Sequence, residues 1–367
     1  MFDRQLLTYF DWGLFTLIVL ISGIGIVVLY SALNGGQPAQ VHALFYRQLI
    51  WLGLGFCLMC LMFMFHFRHI IRWAPLIYAA AVILLICVHF FGKHVGGSTR
   101  WLPIGPFSLQ PSEPAKLVVI IMLARYYAVH ARTSGMTLKD LLVPILLTAI
   151  PFLLIATQPD LGTAGIILII AVTMTLFAKI DRRTAVFFIA LAIIFIPIGW
   201  ELLEPYQKER ILTLVFPDKD PLGAGYHIRQ SKIAVGSGLL LGKGYLQGTQ
   251  KMLAFLPEQH TDFIFSVLTE EWGFFGSLVV VFLFLLLTGF GLSVAHGCRS
   301  SAGTLMAVGI TALIFWQTMI NIAMVTGMFP VVGMPLPLIS YGGSSILTIF
   351  LGLGILLNIS MRRFMKE

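Results

Sequence analysis

The run Leu278-Val279-Val280-Val281-Phe282-Leu283-Phe284-Leu285-Leu286-Leu287 lies inside a longer stretch, 272–296, that contains no Asp, Glu, Lys or Arg. An apolar stretch of about 20 residues is what a helix needs to cross the hydrocarbon of a bilayer. Working outward, nine more stretches of this kind lie near 12–32, 48–66, 74–92, 114–131, 141–157, 162–179, 184–203, 304–326 and 341–360. The chain is 58% hydrophobic and 11% charged, where a soluble domain carries about 25% charged residues. A soluble globular protein is excluded. Each span must satisfy its own backbone hydrogen bonds in lipid, so each should be helical. The expected fold is an all-α polytopic membrane protein. It has ten transmembrane helices, one long extracytoplasmic loop at 204–262 and re-entrant outer loops, all within a single membrane domain covering 1–367.

Basic residues set the orientation. With the N-terminus inside, thirteen of the 24 Lys and Arg fall in inner segments, four in short outer segments and seven in the long loop. Long loops are exempt from the positive-inside rule, so both termini are expected in the cytoplasm. Eleven of the 16 acids fall on or near the outer side. The inner face therefore reads as orientation signal and the outer face as a site. The net charge of +8 follows from orientation, and without a basic block interleaved with aromatics no nucleic-acid partner is expected. Cys57, Cys60 and Cys87 lie in spans and Cys298 in an inner loop, which leaves no outer cysteine for a disulfide. The first span is too long for a signal-peptide core and should stay uncleaved.

Immediately before the 272–296 span stands Pro257-Glu258-Gln259-His260-Thr261-Asp262-Phe263-Ile264-Phe265. A carboxylate at the edge of hydrocarbon is costly and asks for a chemical reason. Asp262, flanked by His260 and Thr261 and close to apolar Phe263 and Ile264, suits a general base whose pKa burial raises. It equally suits an N-cap for the helix that follows. The loop between spans three and four, 93–116, is rich in Pro and Gly and should dip into the interface as a hairpin. Ser112 is placed to cap the fourth span, with Glu113 favoured by the helix dipole. Lys116, one turn into an apolar helix, needs a carboxylate partner inside the bundle. Asp160 in Thr157-Gln158-Pro159-Asp160-Leu161-Gly162-Thr163 either caps span six or pairs with Lys116 or a cationic ligand.

Within the long loop, 222–237 and 239–251 combine glycines with Arg229, Lys232, Lys243 and Lys251, as helices lying along a leaflet would. Those cations and Arg210 suit a pyrophosphate-bearing lipid or, equally, anionic headgroups. In 329–345, three prolines hold an extended segment at membrane depth. There Ser340, Tyr341 and the Gly342-Gly343 backbone offer donors for an anion cradle, or Gly342-Gly343-Ser344-Ser345 serves close helix packing.

Five segments in order resemble the SEDS family (shape, elongation, division and sporulation) of bacterial cell-wall polymerases. They are Gln110-Pro111-Ser112-Glu113 through Lys116, Gln158 through Thr163, Asp220-Pro221-Leu222-Gly223-Ala224-Gly225-Tyr226, Leu256 through Phe265, and Pro335-Leu336-Pro337 through Ser345. Gln230 through Gly238 and Pro330-Val331-Val332-Gly333 are similar to the elongation branch rather than the division branch. The resemblance implies a peptidoglycan glycosyltransferase that polymerises lipid II for cell elongation and rod shape. It would act by inverting transfer on the outer face of the inner membrane, with release of undecaprenyl pyrophosphate. It also implies Asp262 as the catalytic base, Glu113 and Lys116 as a buried pair coupling partner binding to activity, and Asp160 as a further functional acid. His260 and Ser340 support the site, and Arg210 and Lys243 line the substrate cavity. The implied partners are lipid II, the lipid-linked glycan and a class B penicillin-binding protein within an elongation complex. The implied cofactor is a divalent cation, Mg or Mn, for the leaving pyrophosphate, although no metal-ligand spacing is present. A lipid II flippase would need the same polar-lined bundle without a base, and a noncatalytic scaffold would need neither.

Overall fold

The computed structural model describes residues 9–34, 38–95, 98–104, 107–131, 135–202, 205–216, 224–249 and 260–363. In chain order these form α1 (Trp12–Leu33), α2 (Pro38–Met64), α3 (Phe67–Phe91), β1 (Lys93–Val95), β2 (Ser98–Ile104), β3 (Phe107–Leu109), α4 (Ser112–His130), α5 (Leu138–Ala156), α6 (Leu161–Phe177), α7 (Arg182–Leu202), α8 (Pro205–Val215), α9 (Ala224–Ser237), α10 (Ile264–Gly297), α11 (Ser301–Val325) and α12 (Gly343–Arg362). Apart from α8 and α9, the helices occupy the intervals that apolarity marks out. Among the described residues, seven of them (α1, α2, α3, α5, α10, α11 and α12) are long and apolar enough to cross a membrane. Helix α6 is apolar but shorter. Charges dilute α4, which carries Glu113, Lys116 and Arg125, whereas the 184–201 stretch of α7 is apolar apart from Glu201. The chain is a multi-pass membrane protein.

Helix α11 is the hub, packed against α4, α6, α10 and α12, and α12 lies along α2. Ile120, Leu123, Ile310, Phe350 and Leu353 are fully enclosed between these elements. Helices covered all round need no outward polar stripe, and the few polar side chains of α11 and α12, such as Gln317, Asn321 and Asn358, are buried. Outer helices instead turn large side chains outward, such as Phe90 and Phe91 on α3, as a lipid-facing surface requires.

The 93–109 hairpin is more ordered than its sequence suggests. It is a three-stranded antiparallel sheet in the order β1-β2-β3, with Lys93 opposite Trp101 and Leu102 opposite Leu109. This small sheet is the only one among the described residues.

Helix α10 is interrupted at Gly273, whose φ of 67° lies in the left-handed region that only glycine enters cheaply. The break exposes backbone groups at depth, and residues 238–244 supply their partners. Lys243 N donates to Glu270 O (3.0 Å), Gly244 N to Glu271 O (3.0 Å), Phe274 N to Leu239 O (2.9 Å) and Phe275 N to Leu240 O (3.2 Å). Backbone polar groups away from water must be paired, and here a loop substitutes for the missing helical turn. Residues 239–248 are therefore a turn segment in place of the second interfacial helix expected at 239–251. The first expected helix, at 222–237, is present as α9. Residues 250–259, which include Lys251 and Glu258, lie outside the described residues, as do Gly96, Gly97, Gly105, Pro106 and the segment 217–223 with Asp220.

Candidate active site

Asp262 sits in the turn leading into α10. The N-cap position of that helix is Phe263, which makes no side-chain cap bond, so Asp262 does not occupy the capping position. Its Oδ2 faces Gly333, where an added side-chain carbon would lie 3.4 Å away. Gly333 has φ of 70°, so any other residue there would meet backbone strain. Asp262 is partly exposed, whereas Glu113, Asp160, Glu270 and Glu271 are all buried.

The floor beneath Asp262 is the proline-rich segment 329–342 between α11 and α12. Three prolines remove backbone donors from this segment, and apart from the turn at 336–340, where Leu336 O accepts from Ile339 N and Ser340 N, buried side chains pair its carbonyls. Asn321 on α11 donates from Nδ2 to both Asp262 O (2.9 Å) and Met334 O (2.6 Å). Gln317, one turn earlier, donates to Pro335 O (3.0 Å). Gln48 on α2 donates to Ser340 O (3.1 Å). Ser340 accepts from Leu336 N (2.7 Å) and donates to Thr261 O (2.6 Å). Its hydroxyl is buried and committed to the backbone, so it stitches the two segments rather than serving as an anion donor. His260 joins through its carbonyl, which accepts from Tyr341 N (2.9 Å), and its ring centroid lies 5.8 Å from that of Tyr341. Burial pushes the Tyr341 phenol above its ordinary pKa, while the Arg47 guanidinium beside it acts in the opposite direction.

Glu113 and Lys116 meet at 2.9 Å, both buried. Lys116 Nζ also donates to Gln317 Oε1 (3.2 Å). The carboxylate that Lys116 requires is thus Glu113 on its own helix, not Asp160. Asp160 does cap α6, accepting from Thr163 N (3.2 Å) and Thr163 Oγ1 (3.0 Å). It also lies 3.7 Å from Arg100 of β2 and accepts from Gln110 Nε2 (3.1 Å) and Ser112 Oγ (3.4 Å). Arg100 additionally donates to Pro159 O. Ser112 is not the cap of α4 that its place in the sequence suggests. The N-cap position is Pro111 and carries no side-chain bond, and the Ser112 hydroxyl turns to Asp160 instead. Gln110 N donates to Ser344 Oγ (3.0 Å), which ties this cluster to the start of α12.

Arg210 on α8 donates to Val331 O (3.2 Å) and so stands beside the same floor. Lys243 does not. It pairs with buried Glu270 at 2.7 Å, and Thr249 N donates to the same oxygen at 2.8 Å, so Lys243 fastens the loop to the α10 break. Among the described residues no three His, Cys, Asp or Glu side chains gather where they could hold a metal ion. The described donors do not by themselves make a site for a divalent cation.

Asn321, Gln317, Gln48 and Arg100 are the residues that sequence reading passed over. The first two had a signal: two amides four residues apart inside an otherwise apolar span lie on one helical face and need partners in lipid.

Residues 11–364 match the family FTSW_RODA_SPOVE, described as "Cell cycle protein". The chain is 41% identical over 341 residues to the peptidoglycan glycosyltransferase MrdB of Escherichia coli K12, covering 92% of each. It is similar in structure to a chain from a study of structural coordination of polymerization and crosslinking by a peptidoglycan synthase complex (TM-score 0.83, 32% identity, 97% of this chain and 99% of that one). It is also similar to the rod shape determining protein RodA of Thermus thermophilus (TM-score 0.72, 29% identity, 97% and 98%).

Proposed function

The chain belongs to the FTSW_RODA_SPOVE family, and from that membership and the Asp262 geometry we propose that it is a peptidoglycan glycosyltransferase polymerising lipid II for cell elongation. The observation that carries the reading is a partly exposed carboxylate held by its backbone over a floor that faces it at Gly333. Such a group can take a proton at a fixed point, which general-base catalysis needs.

In this mechanism Asp262 removes the proton from the acceptor sugar hydroxyl of one lipid II. The resulting oxygen attacks the anomeric carbon of the lipid-linked glycan from the face opposite the leaving group. The bond from that carbon to undecaprenyl pyrophosphate breaks, the pyrophosphate leaves with its electron pair, and the configuration inverts. Arg210, beside the floor, supplies a guanidinium of the kind that pairs with phosphate oxygens. The membrane is the bacterial inner membrane, with both termini in the cytoplasm and Asp262 on the outer face. Three features support that placement: the distribution of Lys and Arg, the family, and the bond from Ser360 Oγ to Asp11 Oδ2 that puts the start of α1 beside the end of α12. The partner is a class B penicillin-binding protein of the elongation complex, supported by the likeness to a chain of a peptidoglycan synthase complex.

The test is to supply purified protein, alone and with that partner, with defined lipid II in detergent and to resolve the products by size. Glycan polymer is the expected result. Intact lipid II under both conditions, from protein shown to be folded, would remove the polymerase reading and leave a flippase or scaffold.

A further inference from the structure

We propose that Gln317 and Asn321 are positioning residues for the reaction, holding the 331–341 segment and Asp262 as one unit and linking that unit to the buried Glu113–Lys116 pair. The inference rests on the polymerase reading and deepens it.

Both amides are fully buried, at 0% exposure on α11, and four residues apart, so they project from one face. Their orientations are fixed by their partners. Gln317 receives a cation at its oxygen and gives its nitrogen to Pro335 O. Asn321 faces two carbonyl oxygens, which only its nitrogen can serve. Those two carbonyls belong to different segments, Asp262 on one side and Met334 on the other. The two segments are already stitched by Ser340 Oγ to Thr261 O and by Tyr341 N to His260 O, and Asn321 adds the tie at Asp262 itself. That tie moves them together, and Gly333, the residue that faces the Asp262 carboxylate, is adjacent in the chain to Met334.

A connected path follows: Glu113 to Lys116 at 2.9 Å, Lys116 to Gln317 at 3.2 Å, Gln317 to Pro335 at 3.0 Å, then Met334 to Asn321 at 2.6 Å and Asn321 to Asp262 at 2.9 Å. A change in the charged pair pulls on the floor through Gln317, and the floor carries Asp262. Nothing else on this path is ionisable between Lys116 and Asp262, so the signal is geometric, a displacement of the base relative to the substrate. Proton transfer is sensitive to such a displacement: about 1 Å of misplacement costs about a hundredfold in rate.

The experiment uses the full chain with lipid II and compares Gln317→Met and Asn321→Leu, which keep apolar volume in place of each amide. Wild-type polymerisation, and its loss in Asp262→Asn, are measured first. If wild type makes no polymer the parent reading falls and takes this inference with it; if it does, the amide variants decide the inference alone. The expected result is a kcat lowered about tenfold to a hundredfold, with KM for lipid II within about threefold of wild type, the split expected when binding survives and positioning does not. In the Asp262→Asn background each amide change should cost less than about twofold more, because residues acting through one group are not additive. Glu113→Gln should likewise lose most of its effect once Gln317 is Met. The inference is overturned if folded variants keep wild-type kcat, or if the losses multiply in full on the Asp262→Asn background. Gln317→Met decides alone if Asn321→Leu does not fold. Loss of folded protein in both would assign the amides to folding and would also overturn it.

Discussion

The two ends of the helical bundle solve opposite problems. At the end where the chain's first and last described helices meet, polar side chains close helix termini. Asn358 donates to Met62 O (2.5 Å) and Phe65 O (2.6 Å), Arg362 to Phe63 O (3.3 Å), and Asp11 caps α1 through Leu14 N (3.1 Å). These bonds serve orphan groups that any helix leaves. At the Asp262 end, polar side chains instead hold non-helical backbone at depth: the 329–342 floor, the α10 break and the Asp160 corner. There Glu113 pairs with Lys116, Asp160 with Arg100 and Glu270 with Lys243, each pair with at least one buried member. One end finishes helices, and the other supports an irregular surface that helices alone cannot form.

The largest effect that could break this contrast is at Asp262. Asp262→Asn retains size and hydrogen bonding but removes the base, so polymer formation from lipid II should fall by about a hundredfold to ten-thousandfold, with little change in melting temperature. Near wild-type polymerisation would make Asp262 one more structural polar residue and erase the difference between the ends.

The charged pair comes next. Glu113→Ala leaves Lys116 buried with only the Gln317 oxygen, and removing one partner of a buried pair costs about 3 to 5 kcal/mol. Thermal unfolding in mild detergent should show the loss. The double change Glu113→Lys with Lys116→Glu should recover part of it. If Glu113→Ala leaves both unfolding and polymerisation as in wild type, the buried charges at this end contribute as little as surface pairs do.

The smallest effect sharpens the comparison at the other end. His66 caps α3, its Nδ1 accepting from Arg68 N (3.2 Å). Burial first, then Arg362, Arg68 and His69, lower its pKa from 6.5 to about 4. The folded state therefore takes up this proton later than the unfolded state does, and stability falls as pH drops from about 6.5 toward 4. Replacement by Asn keeps a cap that does not titrate. His66→Asn should flatten the decline in melting temperature over that window by the equivalent of less than about 1 kcal/mol, with polymerisation at neutral pH unchanged. An identical decline in wild type and variant would assign the acid sensitivity elsewhere.

How far the site could be read in advance depended on whether a residue acts locally. Glu113 and Lys116 were legible because three residues on a helix put them on one face, and lipid forbids leaving either alone. The Asp160 cap was legible for the same reason, being a bond within its own turn. Ser340 was not: beside its local bond from Leu336 N, its partner Thr261 O is 79 residues away and is brought to it by how α10 and α12 approach. Lys243 looked like a headgroup cation and proved to fasten a helix break, because nothing local announces that Gly273 leaves the helix.

The sequence by itself determined the class of fold, the helical intervals and which acids are too costly to be idle, since hydrocarbon imposes length, apolarity and pairing on each segment separately. Only the tertiary structure decided that Asp262 faces Gly333 and that Asn321 and Gln317 join the floor to the charged pair. The reason is physical. Spans constrained by lipid are readable one at a time, whereas an extended segment with few hydrogen bonds of its own takes its shape from whichever distant donors the packed helices bring to it.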